Sequence, residues 1–215
     1  MSTNTRISIG IATAFAIVVA VLLAISNRSG DDSTSIAGPS EQLVRADSHR
    51  LGAAADNKVT FVEFLDFECE ACAAAYPVVE KLRKDYAGKV TFVVRYFPIP
   101  SHFNAERAAR AVEAAAAQGK FEAMYQKMYE TQTEWGEQQV PADARFRGYA
   151  QALGLDVVAW DKIYNDPATL QRIKKDVADG EAVGVTGTPT FFLNGEKLQP
   201  ESVDDLIASI DAALE

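Results

Sequence analysis

The sequence is poor in cysteine and histidine, and this scarcity excludes two kinds of site. Its 215 residues include two cysteines, Cys69 and Cys72, and two histidines, His49 and His102. Cysteines this close together cannot form the disulfide framework of a small secreted scaffold. A tetrahedral zinc site needs two further ligands, and the histidines are isolated from the pair and from each other, so we expect no metal. The cysteine pair is therefore either redox-active or a packed part of the core.

The sequence also lacks an excess of positive charge. Its formal net charge is −9, and the first 29 residues contain two arginines and no acid, so the rest carries 19 basic and 30 acidic side chains. Such a surface repels the phosphates of nucleic acids, and we expect no nucleic-acid partner. A glycine-rich phosphate loop and a Ser/His/Asp nucleophile arrangement are missing too, so we expect no cofactor.

The longest uncharged stretch lies near the N-terminus. Residues 7–25 form a run of 19 residues without a charge, which as a helix spans about 28 Å, the thickness of a bilayer core. This length favours one N-terminal transmembrane helix over residues 1–29, with the N-terminus cytoplasmic. Ala24-Ile25-Ser26 still offers a cleavage site, so a signal peptide is the alternative. Residues 30–42, rich in Ser, Gly and Asp, are predicted to be a flexible linker that leads to an extracytoplasmic domain.

The domain over residues 43–215 begins with a βαβ pattern. Val59–Leu65 and Val90–Tyr96 are dense in β-branched and aromatic residues, which predicts two strands. The segment between them, Ala71–Tyr86, has helical spacing and ends before Gly88. We expect a right-handed crossover that makes the two strands parallel. Leu43–Arg45 is a possible short edge strand.

A long helical stretch interrupts the second half of the domain. Residues 103–183 are predicted to be helical almost throughout, with Asn104 as the N-cap of the first helix. Thr190–Leu193 and Glu196–Leu198, joined by Asn-Gly, predict a β-hairpin. Ser202–Leu214 is predicted to be a closing amphipathic helix. These patterns predict an α/β fold with an inserted helical subdomain.

The two cysteines occupy the junction between the first strand and the helix that follows it. At positions i and i+3 of a first helical turn they lie on one face, within reach of a disulfide bond. The unpaired N–H groups and the positive end of the helix dipole favour a thiolate at Cys69. We therefore predict that Cys69 is the nucleophile and Cys72 the resolving thiol.

Three separated motifs resemble the DsbA-like branch of the thioredoxin superfamily. They are Phe-Leu-Asp-Phe-Glu-Cys-Glu-Ala-Cys over residues 64–72, the helical insertion, and Gly-Thr-Pro-Thr-Phe-Phe-Leu-Asn-Gly over residues 187–195. The resemblance covers roughly residues 43–215 and implies a thioredoxin-like fold. It also implies that Pro189 is a cis proline facing the cysteines and that the backbone of Thr188 pairs with an extended substrate.

Glu63 is a lone carboxylate in an apolar strand, six residues before Cys69. Thioredoxin-fold enzymes keep a buried acid at this place, and burial without a cation raises the pKa of a carboxyl group. We predict that Glu63 is a catalytic proton acceptor for Cys72. The alternative is an edge position that faces solvent.

The sequence departs from the strongly oxidising members of the branch, which carry Pro-His between their cysteines. Here the two residues are Glu70-Ala71, and Asp66 and Glu68 precede Cys69. We expect these three acids to oppose the Cys69 thiolate and to make the protein a milder oxidant.

Other residues with functional potential are interpreted more simply. We expect His49 and His102 to be surface or loop residues, although His102 could approach the cysteines if its loop folds over them. The aromatic residues of the helical insertion are predicted to be core; they are Tyr125, Tyr129, Trp135, Tyr149 and Trp160.

The resemblance implies a thiol–disulfide oxidoreductase that forms disulfides in exported proteins with free thiols. It further implies reoxidation by a membrane partner of the DsbB or vitamin K epoxide reductase type. One alternative is a disulfide reductase or isomerase that uses the same site. The other is a non-catalytic, chaperone-like binding module whose disulfide is only structural.

Overall fold

The computed structural model describes residues 41–56 and 58–215. The predicted membrane anchor over residues 1–29, and all but the last two residues of the predicted linker over 30–42, lie outside these residues. None of the helices in the described ranges has the length and hydrophobicity that a membrane span requires.

A mixed sheet lies at the centre of the described part of the chain. Its five strands stand in the order β1-β3-β2-β4-β5, with the bounds β1 His49–Arg50, β2 Val59–Leu65, β3 Val90–Tyr96, β4 Thr190–Leu193 and β5 Glu196–Lys197. The strands β2 and β3 are parallel, with Leu65 opposite Tyr96, and the other neighbours are antiparallel. The carboxyl ends of β2 and β3 therefore meet at one edge of the sheet.

Successive side chains of β2 point to opposite faces of the sheet, and both faces are covered. Phe61 and Leu65 belong to the larger hydrophobic cluster, which includes residues of the helix after β2. Val62 and Phe64 belong to a smaller cluster on the other face. Since Glu63 shares the parity of Phe61 and Leu65, its side chain points to the face of the larger cluster.

The helices confirm the predicted α/β architecture with its helical insertion. Helix α1 (Glu70–Asp85) connects β2 to β3. The insertion holds α2 (Ala105–Ala116), α3 (Phe121–Glu130), α4 (Asp143–Ala152), α5 (Val157–Tyr164) and α6 (Pro167–Ala182), with a short 3₁₀ turn over Gln132–Glu134. Helix α7 (Val203–Leu214) follows the hairpin. The five aromatic residues predicted to be core, Tyr125, Tyr129, Trp135, Tyr149 and Trp160, are all buried.

Side-chain caps explain where three helices begin. Asp156 accepts the N–H groups of Val158 and Ala159 at the start of α5, and Asp166 accepts the N–H of Ala168 at the start of α6. Ser202 forms a capping box at the start of α7. Each cap satisfies backbone donors that the first turn of a helix leaves free.

The prediction of an edge strand at Leu43–Arg45 is wrong, because the edge strand is His49–Arg50. The carbonyl groups of Gln42 and Leu43 instead accept hydrogen bonds from the buried guanidinium of Arg95, at 2.6 and 2.8 Å. Arg45 turns inward and forms ion pairs with Asp176 and Asp179 of α6. A side chain thus satisfies the carbonyl groups that a strand would otherwise satisfy.

Asn104 occupies the N-cap position of α2, as predicted, but its side chain makes no capping hydrogen bond. Its amide donates to the carbonyl groups of Gln138 and Val140 and accepts the N–H of Ala142. The fully buried side chain therefore holds the loop before α4 instead of the first turn of α2.

Candidate active site

Cys69 and Cys72 lie at the junction between β2 and α1. Cys69 is the N-cap residue of α1, with an extended backbone, and Cys72 lies in the first turn. Both are free thiols; Cys69 is partly exposed and Cys72 is buried. The side-chain amide of Gln132 donates to the carbonyl of Cys69 at 2.9 Å, which ties this turn to the helical insertion. Cys69 is therefore the sulfur that a macromolecular thiol can reach.

The two sulfurs differ in their affinity for a proton. A hydrogen bond from the Cys72 thiol lowers the pKa of Cys69 to about 5 against the opposing effect of partial burial; the Thr188 hydroxyl and the N–H groups of Cys72 and Ala71 also lower it. Burial raises the pKa of Cys72 far above its ordinary value, and the hydrogen bond to Cys69 adds to this effect. At neutral pH Cys69 is a thiolate and Cys72 a thiol, as a nucleophile and a resolving thiol require.

The loop before β4 faces Cys69. Strand β4 pairs antiparallel with β2, with Thr190 opposite Phe64, so the residues before Thr190 continue past the end of β2 towards the cysteines. The Thr188–Pro189 peptide bond is cis, as the resemblance implied. The carbonyl oxygen of Thr188 lies 3.4 Å from the Cys69 sulfur. The hydroxyl of Thr188 is buried and has no hydrogen-bond partner in the described part of the chain, so it is available to donate to a thiolate at Cys69.

The expectation that Asp66 and Glu68 oppose the Cys69 thiolate is wrong, because the pKa of Cys69 lies below its ordinary value. Both acids are buried. Asp66 accepts the N–H groups of Glu68 and Ile99, at 2.8 and 2.9 Å. Glu68 accepts the N–H groups of Asn104 and Glu137. Both carboxylates are thus held by backbone donors, while Glu70 is exposed to solvent at the start of α1.

Glu63 lies in the middle of β2, between β3 and β4, so the alternative of a solvent-facing edge position is wrong. Burial raises the pKa of Glu63 to about 8, and the charge of Glu80 adds to the shift. One carboxyl oxygen, Oε2, has no hydrogen-bond partner among the described residues. The charge of Glu63 also raises the pKa of Cys72. The two groups are therefore coupled electrostatically, and the proton-accepting role of Glu63 stays a prediction.

A second ionisable pair, not predicted from the sequence, lies next to the turn that carries Cys69. His102, in the loop after β3, places its Nδ1 atom 2.6 Å from Oδ2 of Asp66. The parallel pairing of β2 and β3 was the signal that could have shown it, because it places the residues after both strands at one edge. His49 lies elsewhere, on β1, with Nε2 at 2.6 Å from Glu113.

An apolar groove of about 200 Å³ runs beside the active-site helix. Ala75, Val78 and Val79 of α1 form one wall, and Phe191 and Leu206 contribute from β4 and α7. Within residues 41–56 and 58–215, no group of three or more His, Cys, Asp or Glu side chains is arranged to hold a metal ion.

Comparisons with known proteins support the fold described above. The model of the thioredoxin family matches residues 46–212. A thioredoxin-like oxidoreductase from Silicibacter pomeroyi DSS-3 has a TM-score of 0.67 at 26% identity, over 81% of this chain and 96% of that one. The α-DsbA1 structure from Wolbachia pipientis has a TM-score of 0.71 at 19% identity, over 80% of this chain and 93% of that one, which is a likeness of fold.

The chain is also similar to part of a longer curated protein. The Na⁺/H⁺ antiporter NhaA of Herminiimonas arsenicoxydans is 32% identical over 178 residues, which make up 81% of this chain and 27% of the antiporter. The chain spans about a quarter of the length of the curated relatives it matches. The family match over most of the described residues, together with the two related folds, shows what this chain is. It belongs to the thioredoxin family.

Proposed function

We propose that the chain is a net thiol oxidase that forms disulfides in exported proteins. The observation that carries the proposal is the partly exposed position of Cys69 at the N-cap of α1, beside the buried thiol of Cys72, where its pKa is lowered to about 5. A low thiol pKa makes Cys69 a good leaving group and stabilises the reduced protein. The disulfide form is therefore a stronger oxidant than one whose thiol has an ordinary pKa. A reductase instead requires a disulfide that is stable relative to the dithiol.

The reaction begins with a disulfide between Cys69 and Cys72. A substrate thiolate attacks the Cys69 sulfur, the bond between the two cysteines breaks, and Cys72 leaves with the electron pair and takes up a proton. A second substrate thiolate then attacks the substrate sulfur of the mixed disulfide. Cys69 leaves as a thiolate, the substrate holds a new disulfide, and the protein holds the two electrons.

Glu63 supplies the proton that Cys72 needs. With a pKa of about 8, Glu63 is mostly protonated at neutral pH and gives up its proton when a stronger base forms beside it. The thiolate of Cys72 is such a base, because burial strongly favours its thiol form. In the reverse direction Glu63 accepts the same proton, which is the role expected from its place in the sequence.

Thr188 and Pro189 hold the substrate. The carbonyl group of Thr188 faces Cys69, so an extended segment that carries the reacting cysteine can pair with this backbone as a transient added strand. The apolar groove along α1 gives the neighbouring substrate side chains a place to pack.

The location and the electron acceptor belong to the same proposal. Residues 1–29 hold the domain at the outer face of the cell membrane, where proteins with unpaired thiols emerge. The dithiol is reoxidised by a membrane protein of the DsbB or vitamin K epoxide reductase type. The uncharged run over residues 7–25 supports the anchor.

The reduction potential of the Cys69–Cys72 pair tests the direction of transfer. The full chain is equilibrated with glutathione buffers, and its thiols are trapped and counted. A potential well above the roughly −270 mV of thioredoxin supports an oxidase. A value near or below it favours the reductase or isomerase.

Two variants separate catalysis from a chaperone-like role. Cys69→Ser abolishes turnover if the site is catalytic, and Cys72→Ser accumulates mixed disulfides with the substrate. A binding module retains its activity in both variants.

A further inference from the structure

The loop after β3 passes beside the turn that leads from β2 to Cys69. Leu65 and Tyr96 end the two parallel strands opposite each other. Beyond them, the N–H of Phe97 donates to the carbonyl of Leu65 at 2.8 Å. The N–H of Ile99 donates to the Asp66 carboxylate at 2.9 Å. The loop is therefore fastened to the residues that immediately precede Cys69.

A turn in this loop returns the imidazole of His102 to the same carboxylate. The N–H of His102 donates to the carbonyl of Ile99 at 3.0 Å. Its Nδ1 atom lies 2.6 Å from Oδ2 of Asp66. The His102 side chain is 32% exposed, whereas that of Asp66 is fully buried. His102 can thus exchange a proton with water while its position is fixed.

Asp66 connects this imidazole to the nucleophile. Its carboxylate binds His102, and its carbonyl oxygen accepts the N–H of Cys69 at 3.2 Å. Burial raises the pKa of Asp66, while hydrogen bonds from Ile99, Glu68 and His102 favour its ionised form. One buried residue therefore holds both the turn that carries the sulfur and the ring of His102.

We infer that protonated His102, held by Asp66, is a positioning residue that stabilises the Cys69 thiolate and replaces the cation that Glu70-Ala71 does not supply. The inference deepens the proposed thiol–disulfide exchange and rests on it. A histidine from a different loop thereby takes the electrostatic role of a basic residue between the cysteines.

The electrostatic coupling runs in both directions. Partial burial lowers the pKa of His102, but the hydrogen bond and charge of Asp66 outweigh it, and the charge of Cys69 adds to the increase. Because coupling between two sites is reciprocal, an imidazolium that the thiolate favours also favours the thiolate. This support is present below the raised pKa of His102 and is lost as the pH rises through it.

Other charged groups near His102 enter the same balance. The charge of Glu68 also raises the pKa of His102. A groove of about 590 Å³ adjoins the imidazole. The charged residues that line this groove are Glu106, Arg107, Arg110, Lys174 and Glu181. The largest charge effect on His102 comes from Asp66, followed by those of Cys69 and Glu68.

The redox step makes the coupling measurable. When a substrate dithiol reduces the Cys69–Cys72 disulfide, two electrons enter the S–S bond and the substrate becomes a disulfide. The substrate dithiol gives up two protons: one ends on Cys72, and the other goes to water or to His102. The charge that appears on Cys69 must then raise the pKa of His102 in the reduced protein above its value in the oxidised protein.

Proton NMR of the two imidazoles tests this directly. The chain contains two histidines, so two ring signals are expected, and His49→Asn identifies which belongs to His102. In the full chain, the His102 titration is expected to move to higher pH on reduction. Identical His102 titrations in both redox states would overturn the inference. This test needs no variant of His102 to fold.

A variant gives the reciprocal measurement. His102→Asn retains a side-chain donor for Asp66 but loses the positive charge. The ultraviolet absorbance of the thiolate should then show a three- to tenfold weaker ionisation of Cys69, about half to one pKa unit. A tenfold change also lowers the reduction potential by about 30 mV. His49→Asn is the matched control and should change neither quantity.

The outcomes separate this inference from the proposed function. If the wild-type protein exchanges disulfides but His102→Asn leaves the ionisation of Cys69 unchanged, the role of His102 is refuted and the proposed function is not. A wild-type protein whose Cys69–Cys72 pair never equilibrates with glutathione refutes the proposed function itself.

Discussion

Glu63→Gln should stabilise the protein relative to the wild type, and this stabilisation should increase as the pH rises. The carboxyl group of Glu63 ionises at an ordinary value of 4.5 in the unfolded chain and at about 8 in the folded one. The folded state therefore binds the extra proton between these values, and the free energy of unfolding falls as the pH rises through this window. At about 1.4 kcal/mol per unit, the loss amounts to about 3 kcal/mol at pH 7 and about 5 kcal/mol well above pH 8.

A glutamine in this position does not ionise, so this loss is absent from the variant. Its amide is as poorly partnered as the carboxyl it replaces, because Oε2 of Glu63 has no hydrogen-bond partner among the described residues. Such a group costs about 1–3 kcal/mol at every pH. The pH dependence is therefore the sharper quantity: the advantage of the variant should grow by about 3 kcal/mol between about pH 5 and pH 8.

Urea unfolding of the oxidised proteins, measured at several pH values, provides the assay. The disulfide form is used because Cys69 does not titrate in it, and the causes of the Glu63 shift, burial and Glu80, do not involve the cysteines. Glu68→Gln is the matched control, because Glu68 is equally buried but accepts two backbone N–H groups. It should lower stability by about 1–3 kcal/mol. A Glu63→Gln advantage that does not change with pH would refute the reasoning.

Three further predictions follow from the same contacts. The reduced protein should gain stability relative to the oxidised one as the pH rises from about 5 towards 9, because the pKa of Cys69 is depressed to about 5; unfolding of both forms across this range measures it. Thr188→Val should raise the pKa of Cys69, and Thr188→Ser should not, as thiolate absorbance will show; an unchanged pKa in the valine variant contradicts the role of the hydroxyl. Gly180→Ala should cost about 1–3 kcal/mol in thermal unfolding because its Cβ meets the Phe64 ring at 2.9 Å, whereas Gly148→Ala, with open space around it, should be neutral or stabilising. Equal effects of the two alanines contradict the packing argument.

Local patterns predicted the elements that carry the chemistry. The β-branched runs that became β2 and β3, and the helical spacing that became α1, each depend on neighbours in sequence. The position of the cysteines at the start of α1 follows from these elements alone. The cis bond before Pro189 did not follow from local physics and came from the resemblance.

Long-range contacts between charged groups explain what the sequence could not show. The local pattern predicts a strand that includes Arg45, yet its guanidinium binds Asp176, which is 131 residues away in sequence. Asp66 and Glu68 lie close to Cys69 in sequence, yet donors to their carboxylates come from Ile99 and Asn104. Counting charges near a motif ignores which of them the fold has already paired.

Whether an acid near the cysteines is paired or unpaired also determines its effect on the direction of electron transfer. A carboxylate raises the pKa of a thiol through its uncompensated charge, and Asp66 and Glu68 are held by backbone donors. The groups that lower the pKa of Cys69, the Cys72 thiol and the Thr188 hydroxyl, act on a charge that exists in the reduced protein alone. They therefore stabilise the dithiol and not the disulfide. Glu70-Ala71 between the cysteines is consequently compatible with an oxidant, and the measured potential should follow the donors around Cys69 more closely than the number of acids in the motif.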